Sequence, residues 1–126
     1  MLRTTSENVE IKGIVCAVPK HKINNSDLTN FFSEDELEKT SQLTGVKSRH
    51  TATQEMCTSD LCVAAAKELL NNINWKPESV DCLIFVSQTP DYILPATSCS
   101  IHQRLNLSKR CAAFDINLGC SGYVYG

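Results

Sequence analysis

The sequence has no apolar run of the roughly 20 residues that a membrane-spanning helix needs, and residues 1–8 contain no hydrophobic segment of a secretory leader. It also has no block of basic residues, since 12 Lys+Arg stand against 14 Asp+Glu, a formal net charge of -2. A chain without a cluster of basic residues lacks the positive charge that binds the phosphate backbone of nucleic acids. We therefore expect a cytoplasmic protein that binds neither membranes nor nucleic acid.

The seven cysteines form no C-x-x-C pair; they stand at positions 16, 57, 62, 82, 99, 111 and 120. Such spacing signals neither a zinc site nor a disulfide framework, and we expect no metal. Apart from Cys120, they lie mostly in apolar segments. We expect those six to be small buried hydrophobes in a reducing compartment.

The 126 residues, 42% of them hydrophobic and 21% charged, suit one compact unit with a core of its own. Apolar patterning predicts strands at 9–18, 82–86 and 112–118, the second of them covered on both faces. Helices are expected at 26–32, 34–43, 58–71 and 97–105, and a short edge strand is expected through Ala52. A Ser33–Glu36 capping box opens the second helix, and Gly45 ends it.

Strands that alternate with helices predict an α/β fold with a mainly parallel sheet and βαβ crossovers. Ligands of such sheets bind beyond the carboxyl ends of the strands. The strand at 112–118 leads to Cys120 at that edge, and the strand that ends at Val86 leads to an unusually apolar loop at 88–94. If the two strands are parallel, the loop and the cysteine meet, and together they form a pocket.

Gly119 and Gly122 flank Cys120 and Ser121, which predicts a sharp turn from a buried strand into a helix. Free backbone N–H groups and the helix dipole would favour the thiolate and stabilise an oxyanion, as acyl transfer requires. The Gly-x-nucleophile-x-Gly elbow of hydrolases is only half matched, because Leu118 replaces its first glycine. These residues alone leave open an acyl-accepting thiol and a buried structural cysteine.

Residues 113–123, Ala-Phe-Asp-Ile-Asn-Leu-Gly-Cys-Ser-Gly-Tyr, resemble the active-site motif of the 3-oxoacyl-[acyl-carrier-protein] synthase III family, whose thiolase-fold enzymes start fatty-acid chains. Two other motifs occur in the family's order. Residues 44–50 are similar to its Thr-Gly-Ile-x-x-Arg-His segment, and residues 88–92 with Pro95 are similar to the loop after its third strand. The resemblance extends over about residues 9–126.

This resemblance implies that residues 1–126 form the N-terminal part of a thiolase-like fold. Cys120 would take an acyl group from an acyl-CoA or acyl-carrier-protein thioester and condense it decarboxylatively with malonyl-carrier protein, with its own N–H in the oxyanion hole. Thr44 and Leu94 are implied as substrate contacts, Leu94 across a homodimer interface. The thioesters are substrates, and no cofactor is implied.

The sequence also departs from the family. The family's catalytic histidine and asparagine belong to the second half of its fold, and His21, His50 and His102 do not match that histidine, so we expect them to be structural or solvated. We expect the 126 residues to be a fragment without condensing activity of its own. Lys39 and Leu43 replace a tryptophan and an arginine that clasp coenzyme A in well-studied members, which favours an acyl-carrier protein or an unusual acyl-CoA as donor.

Two alternatives remain open. Another thiolase-fold thioester enzyme, such as a hydroxymethylglutaryl-CoA synthase or a polyketide-type synthase, would share the nucleophile. A catalytically silent fragment could instead assemble with other subunits through its sheet edge and the apolar residues 92–94.

Overall fold

The computed structural model describes residues 5–126. In chain order its elements are β1 (His21–Asn24), α1 (Glu34–Thr44), β2 (Ser48–Thr51), α2 (Thr58–Asn72), β3 (Cys82–Val86), α3 (Thr97–Arg104), β4 (Ala112–Ile116) and α4 (Gly122–Tyr125). Short 3₁₀ turns at Asn25–Leu28 and Pro77–Ser79 precede α1 and β3. Within residues 5–126, no helix combines the length and apolar character needed to cross a membrane.

The four strands in the described part of the chain form two separate pairs. β1 and β2 are antiparallel, with His21 opposite Thr51. β3 and β4 are parallel, with Val86 opposite Ile116, and α3 connects them. The predicted α/β class and βαβ crossover are confirmed, although the parallel sheet has two strands within residues 5–126.

Helix α1 has the predicted ends. The hydroxyl of Ser33 accepts a hydrogen bond from the N–H of Glu36 at 3.4 Å, and the Glu36 carboxylate accepts one from the N–H of Ser33 at 2.9 Å. The Ser33 hydroxyl also donates to the Glu36 carboxylate at 2.7 Å, and this bond, followed by the one from the Ser33 N–H, lowers the pKa of Glu36. Gly45, at a φ of 71°, ends the helix by donating its N–H to Ser41.

The core lies on one face of the β3–β4 pair, where α2 and α3 pack. Its buried residues are Val63, Phe85, Ile101, Leu105, Leu107 and Cys111. Ile101 and Leu105 face this core as predicted, with 1% and 5% of their surface exposed. Burial of one such side chain contributes about 1.5–3 kcal/mol.

The opposite face of the β3–β4 pair has little cover. Ile84, Val86 and Phe114 expose 38%, 38% and 44% of their surface there. The prediction that residues 82–86 are covered on both faces is therefore wrong for this chain, because side chains alternate along a strand and only one set meets a helix.

The strand predicted at 9–18 is also wrong. Residues 9–18 form neither a helix nor a strand in the described part of the chain, and the first strand begins after Pro19, at β1. Val9, Ile11 and Ile14 are 77–79% exposed, and Gly13 lies against Leu69 of α2. Apolar alternation does not make a strand unless a second strand takes up its hydrogen bonds.

The helix predicted at 26–32 is the short 3₁₀ turn Asn25–Leu28. The turn begins after Asn24, and Ser26 does not cap it. The Asp27 carboxylate accepts the N–H of Asn24 at 2.9 Å. Asn25 is buried and uses its side chain to bind Ser41, Val46 and Arg49. These side-chain bonds of Asn25 fix the backbone in a short turn, so a regular helix does not form here.

Asp115 joins β4 to the start of α3. Its two carboxylate oxygens accept the backbone N–H groups of Thr97 at 2.7 Å and Ser98 at 2.8 Å. Both of these residues are fully buried, with 0% of their surface exposed. A helix leaves its first N–H groups without partners inside the helix, and a carboxylate there also meets the positive end of the dipole. Asp115 therefore fixes the direction in which α3 leaves the loop.

We expect Asp115→Asn to lower the free energy of unfolding by about 1–3 kcal/mol, because an amide removes the negative charge and one acceptor oxygen. Urea unfolding measures this change. Asp81→Asn is the matched control, since its exposed carboxylate makes no hydrogen bond with residues 5–126. An equal loss in both variants would contradict the assigned role.

Candidate functional site

Cys120 lies in the turn that follows β4. The carbonyl of Gly119 accepts the N–H of Gly122 at 2.9 Å, which closes the turn around Cys120 and Ser121. Cys120 is exposed and its thiol is free. Within residues 5–126, the N–H groups of Cys120 and Ser121 bind no backbone or side-chain acceptor. The turn therefore carries an exposed thiol and two N–H groups without an internal acceptor.

The turn has its shape because it packs against the end of β3. Gly122 is buried, and a Cβ atom there would lie 2.5 Å from Cγ1 of Val86. That distance is shorter than any van der Waals contact, so a side chain at position 122 would push the turn away from the sheet. Cys120 is thus held at the carboxyl edge of the β3–β4 pair.

The loop at 88–95 leaves β3 at the same edge. The N–H of Ser87 donates to Ile116 at 3.2 Å, which extends the parallel pairing by one bond beyond Val86. Gln88 then crosses to the turn, and its Oε1 lies 2.6 Å from where a Cβ of Gly119 would be. The prediction that this loop reaches the edge of the sheet that carries Cys120 is confirmed.

The far part of the loop presents apolar side chains. Tyr92, Ile93 and Leu94 are 57%, 93% and 88% exposed, and the Leu94–Pro95 peptide bond is cis. Three neighbouring apolar side chains at such exposure form a surface that can bind an acyl chain or another protein. Leu94 therefore lies in the loop that the sequence associates with substrate.

Polar bonds hold this loop to two helices. The hydroxyl of Thr58 donates to the carbonyl of Thr89 at 3.2 Å, and Asp91 accepts the N–H of Ser59 at 3.1 Å. The N–H of Asp91 donates to the hydroxyl of Thr97 at 3.1 Å. Sequence reasoning missed this role of Asp91; its signal is an acidic residue in the loop that must face the N–H groups opening α2.

Arg104 ties the end of α3 to the start of α2. Its guanidinium donates to the Ser59 hydroxyl at 2.8 Å and to the Asp60 carboxylate at 2.7 Å. Hydrogen bonds from the N–H of Cys57 and from Arg104 lower the pKa of Asp60. Asp60 therefore stays charged at neutral pH, at the N-terminal end of α2.

The other cysteines differ in exposure, contrary to the prediction that all six are buried. Cys111 is buried and Cys62 is half-buried; four are exposed, namely Cys16, Cys57, Cys82 and Cys99. Those four stand at element ends, on outer faces or in the segment that lacks a partner strand. Burial, and to a smaller extent the Asp91 carboxylate, raises the pKa of Cys62, and burial chiefly raises that of Cys111. Both thiols are therefore poor nucleophiles at neutral pH.

Each histidine bonds to a residue outside the Cys120 turn. His21 bonds to the Thr51 hydroxyl at 2.7 Å, and His50 and His102 bond to the carbonyls of Pro19 at 2.6 Å and Ser108 at 2.9 Å. No hydrogen bond in residues 5–126 joins a histidine to Cys120. The described residues thus give the Cys120 thiol no histidine as a hydrogen-bond partner.

A concave region of about 670 Å³ lies between α1 and the 3₁₀ turn before it. Its walls include Asn25, Glu34, Glu38 and Lys47, and Cys120 is not among them. The Asn25 amide is occupied by its internal bonds, so the groove has no buried polar group left over for a ligand. We favour the Cys120 edge as the functional site because it combines a free thiol, unused N–H groups and an apolar loop.

Comparison with known proteins decides the family. The chain is 40% identical over 128 residues to a Campylobacter jejuni protein provisionally named 3-oxoacyl-[acyl-carrier-protein] synthase 3, matching 99% of this chain and 36% of that protein. It is 36% identical to a beta-ketoacyl-[acyl-carrier-protein] synthase III of Desulfitobacterium hafniense, matching 94% of this chain and 35% of that one. A Burkholderia xenovorans 3-oxoacyl-(acyl-carrier protein) synthase structure superposes with a TM-score of 0.84 at 40% identity, covering 88% of this chain and 32% of that chain.

The chain belongs to the 3-oxoacyl-[acyl-carrier-protein] synthase III family. It spans about a third of the length of these relatives. No family model matches the chain. The β3-α3-β4 unit is accordingly part of the thiolase-like fold of synthase III enzymes.

Thr44, which the resemblance implies as a substrate contact, is the last residue of α1. Its hydroxyl donates to the Thr40 carbonyl at 2.7 Å and accepts the N–H of Val46 at 3.2 Å. These bonds give Thr44 a role in ending the helix. The part of Thr44 in substrate binding stays a prediction.

We expect Gly122→Ala to lower the free energy of unfolding by about 1–3 kcal/mol and to slow alkylation of Cys120 by iodoacetamide, because the new methyl group overlaps Val86. Peptide mass spectrometry follows the alkylation of Cys120 separately from the other thiols. Val86→Ala, combined with Gly122→Ala, removes the overlapping atoms and should restore much of both losses. Strictly additive effects in this double-mutant cycle would contradict the contact.

Proposed function

We propose that Cys120 is the acyl-accepting nucleophile of a condensing enzyme for fatty-acid or related acyl chains. The observation that carries this proposal is the exposed Cys120 thiol in a turn with unused N–H groups, beside an apolar loop, within the motif of the synthase III family. Thiolates are strong nucleophiles toward thioesters, and an adjacent N–H can bind the oxyanion that forms.

The reaction has two steps. Cys120 attacks the carbonyl carbon of an acyl thioester, its sulfur forms a new thioester, and the donor leaves as a free thiol. Loss of carbon dioxide from malonyl-carrier protein then yields a carbanion, which attacks the acyl carbonyl and expels the Cys120 thiolate. The product is a 3-oxoacyl-carrier protein. The N–H of Cys120 stabilises the oxyanion in both steps.

The loop residues 92–94 line the acyl pocket in this proposal. Ile93 and Leu94 expose about nine-tenths of their surface, which favours cover by a second subunit, and we propose a cytoplasmic homodimer. Acyl-carrier protein is the expected partner. An acyl chain packed against these side chains would gain about 25 cal/mol for each Å² of apolar surface removed from water.

The complete reaction needs groups that the described residues do not supply. No histidine is bonded to Cys120, and the face of the β3–β4 pair that carries Ile84, Val86 and Phe114 is only partly covered. We propose that this chain acts as the nucleophile-bearing part of a longer synthase, in which further residues cover that face and provide the catalytic histidine and asparagine. The experiments below therefore use the complete protein that contains this sequence.

Cys120→Ser should reduce acyl transfer at least a thousandfold, because an alcohol at this position is a far weaker nucleophile than a thiolate. Mass spectrometry of the protein after incubation with a radiolabelled or isotopically labelled acyl thioester detects the acyl-enzyme. Cys99→Ser is the control, since Cys99 is also exposed but lies on α3. Acylation that survives in the Cys120 variant would contradict the proposal, and a Cys120 thiol no faster than free cysteine toward iodoacetamide would favour the silent-fragment alternative.

The donor is proposed to be an acyl-carrier protein or an unusual acyl-CoA. Helix α1 begins with Glu34, Asp35 and Glu36. Lys39, the cation available on this helix, is bonded to Asp35 at 2.5 Å. Leu43 is 87% exposed and offers neither charge nor a planar stacking surface. A surface with excess negative charge disfavours the phosphates of coenzyme A.

We expect the complete protein to be acylated faster by an acyl-carrier protein than by the matching acyl-CoA. Joint replacement Lys39→Trp and Leu43→Arg should raise kcat/KM for the acyl-CoA about tenfold, because it adds a stacking ring and a fixed cation. Leu43→Ala is the control, since it changes the same exposed position without adding charge. A strong preference of the unaltered protein for acetyl-CoA would contradict this assignment.

A further inference from the structure

Gln88 occupies the space between the loop and the Cys120 turn. Its Oε1 lies 2.6 Å, and its Cδ 3.7 Å, from the position of a Cβ on Gly119. Gly119 immediately precedes Cys120, so the Gln88 carboxamide packs against the residue next to the proposed nucleophile. The glycine leaves room for this approach, since any side chain there would displace the amide.

The backbone on both sides of Gln88 is fixed. Ser87 donates its N–H to Ile116 of β4 at 3.2 Å, and its hydroxyl accepts the N–H of Thr89 at 3.0 Å. The carbonyl of Thr89 accepts the Thr58 hydroxyl of α2 at 3.2 Å. Gln88 is therefore one residue away from anchors to the sheet and to a helix, and its Cα position is set by the fold.

The Gln88 carboxamide has no internal hydrogen-bond partner within residues 5–126, although it has two donors and an acceptor. The side chains farther along the loop, Ile93 and Leu94, are purely apolar. A plain alkyl chain that covered the amide would remove its water and leave its polar atoms unbonded, which is unfavourable. A hydroxyl on the acyl chain would replace that water.

We propose that Gln88 is a specificity-determining residue that selects acyl groups carrying a hydroxyl near the thioester. The proposal rests on the proposed function, since it requires an acyl group on Cys120. A site that offers a hydrogen bond to a substrate hydroxyl discriminates against the analogue that lacks it, because the site's own polar group is then left unpaired. Gln88 is exposed, so we expect discrimination of about tenfold rather than the much larger factors seen in enclosed sites.

The experiment compares 3-hydroxybutyryl and butyryl thioesters of the same donor as substrates for acylation of Cys120 in the complete protein. We expect the unaltered protein to favour the 3-hydroxybutyryl thioester about tenfold in kcat/KM. Gln88→Met keeps the length of the side chain but removes the amide, and should bring the ratio to one or below by improving the butyryl reaction. Gln54→Met is the matched control, because Gln54 is exposed and makes no hydrogen bond with residues 5–126.

A ratio that stays within twofold of the unaltered protein in Gln88→Met would overturn the proposal, as would a preference of the unaltered protein for the butyryl thioester. If Gln88→Met proves inactive with both substrates, Gln88→Glu provides the test: it keeps the acceptor oxygens and loses the N–H donors, so a changed ratio supports the assignment and an unchanged ratio contradicts it. Absence of any acyl group on Cys120 with either thioester would instead refute the proposed function.

Discussion

The placement of the Cys120 turn and of the loop beside it depends on one carboxylate, that of Asp115, which binds the first N–H groups of α3. Asp115 is on the core-facing side of β4, opposite Phe85, so its charge is directed toward the helix and away from solvent. Because β4 also leads into the Cys120 turn, one strand positions both the proposed nucleophile and the group that orients α3. A shift of β4 would change the two together.

The same principle recurs at α2. Asp91 accepts the N–H of Ser59, as Asp115 accepts those of Thr97 and Ser98. Arg104 of α3 also binds Ser59 and Asp60 of α2, which joins the two helices directly. Two helix N-termini, a loop and a strand are thus connected by polar bonds around the apolar core that contains Phe85 and Ile101. Carboxylates at helix starts are stable there because unpaired N–H groups and the dipole both favour them.

Local signals in the sequence predicted the elements that local chemistry controls. The Ser33–Glu36 box and Gly45 located α1 to within a residue or two, and the parallel pairing of residues 82–86 with 112–116 followed from their apolar runs and the helix between them. The turn at Cys120 and the loop beside it were expected for the same reason. The position of Gln88 against Gly119 could not be predicted, because it depends on the length and path of the loop.

The errors also have a physical cause. The 9–18 segment alternates like a strand, but strand formation requires a neighbour with free hydrogen-bonding groups, and the sequence does not say where such a neighbour lies. The exposed cysteines were misjudged because an apolar neighbourhood along the chain does not fix which face of an element a side chain occupies. Asp91 and Arg104 form bonds across more than thirty residues of sequence, a distance over which spacing carries no information.

The loop at 88–95 is anchored chiefly through Thr89, Asp91 and the backbone, while Tyr92, Ile93 and Leu94 contribute little to holding it. The residues that anchor the loop are therefore different from the residues that form its exposed apolar surface. Substitutions at 92–94 can alter the apolar surface without loosening the frame that carries it, so this part of the chain can diversify in evolution at small cost to folding. A loop divided in this way can change the shape and polarity of its exposed surface one side chain at a time.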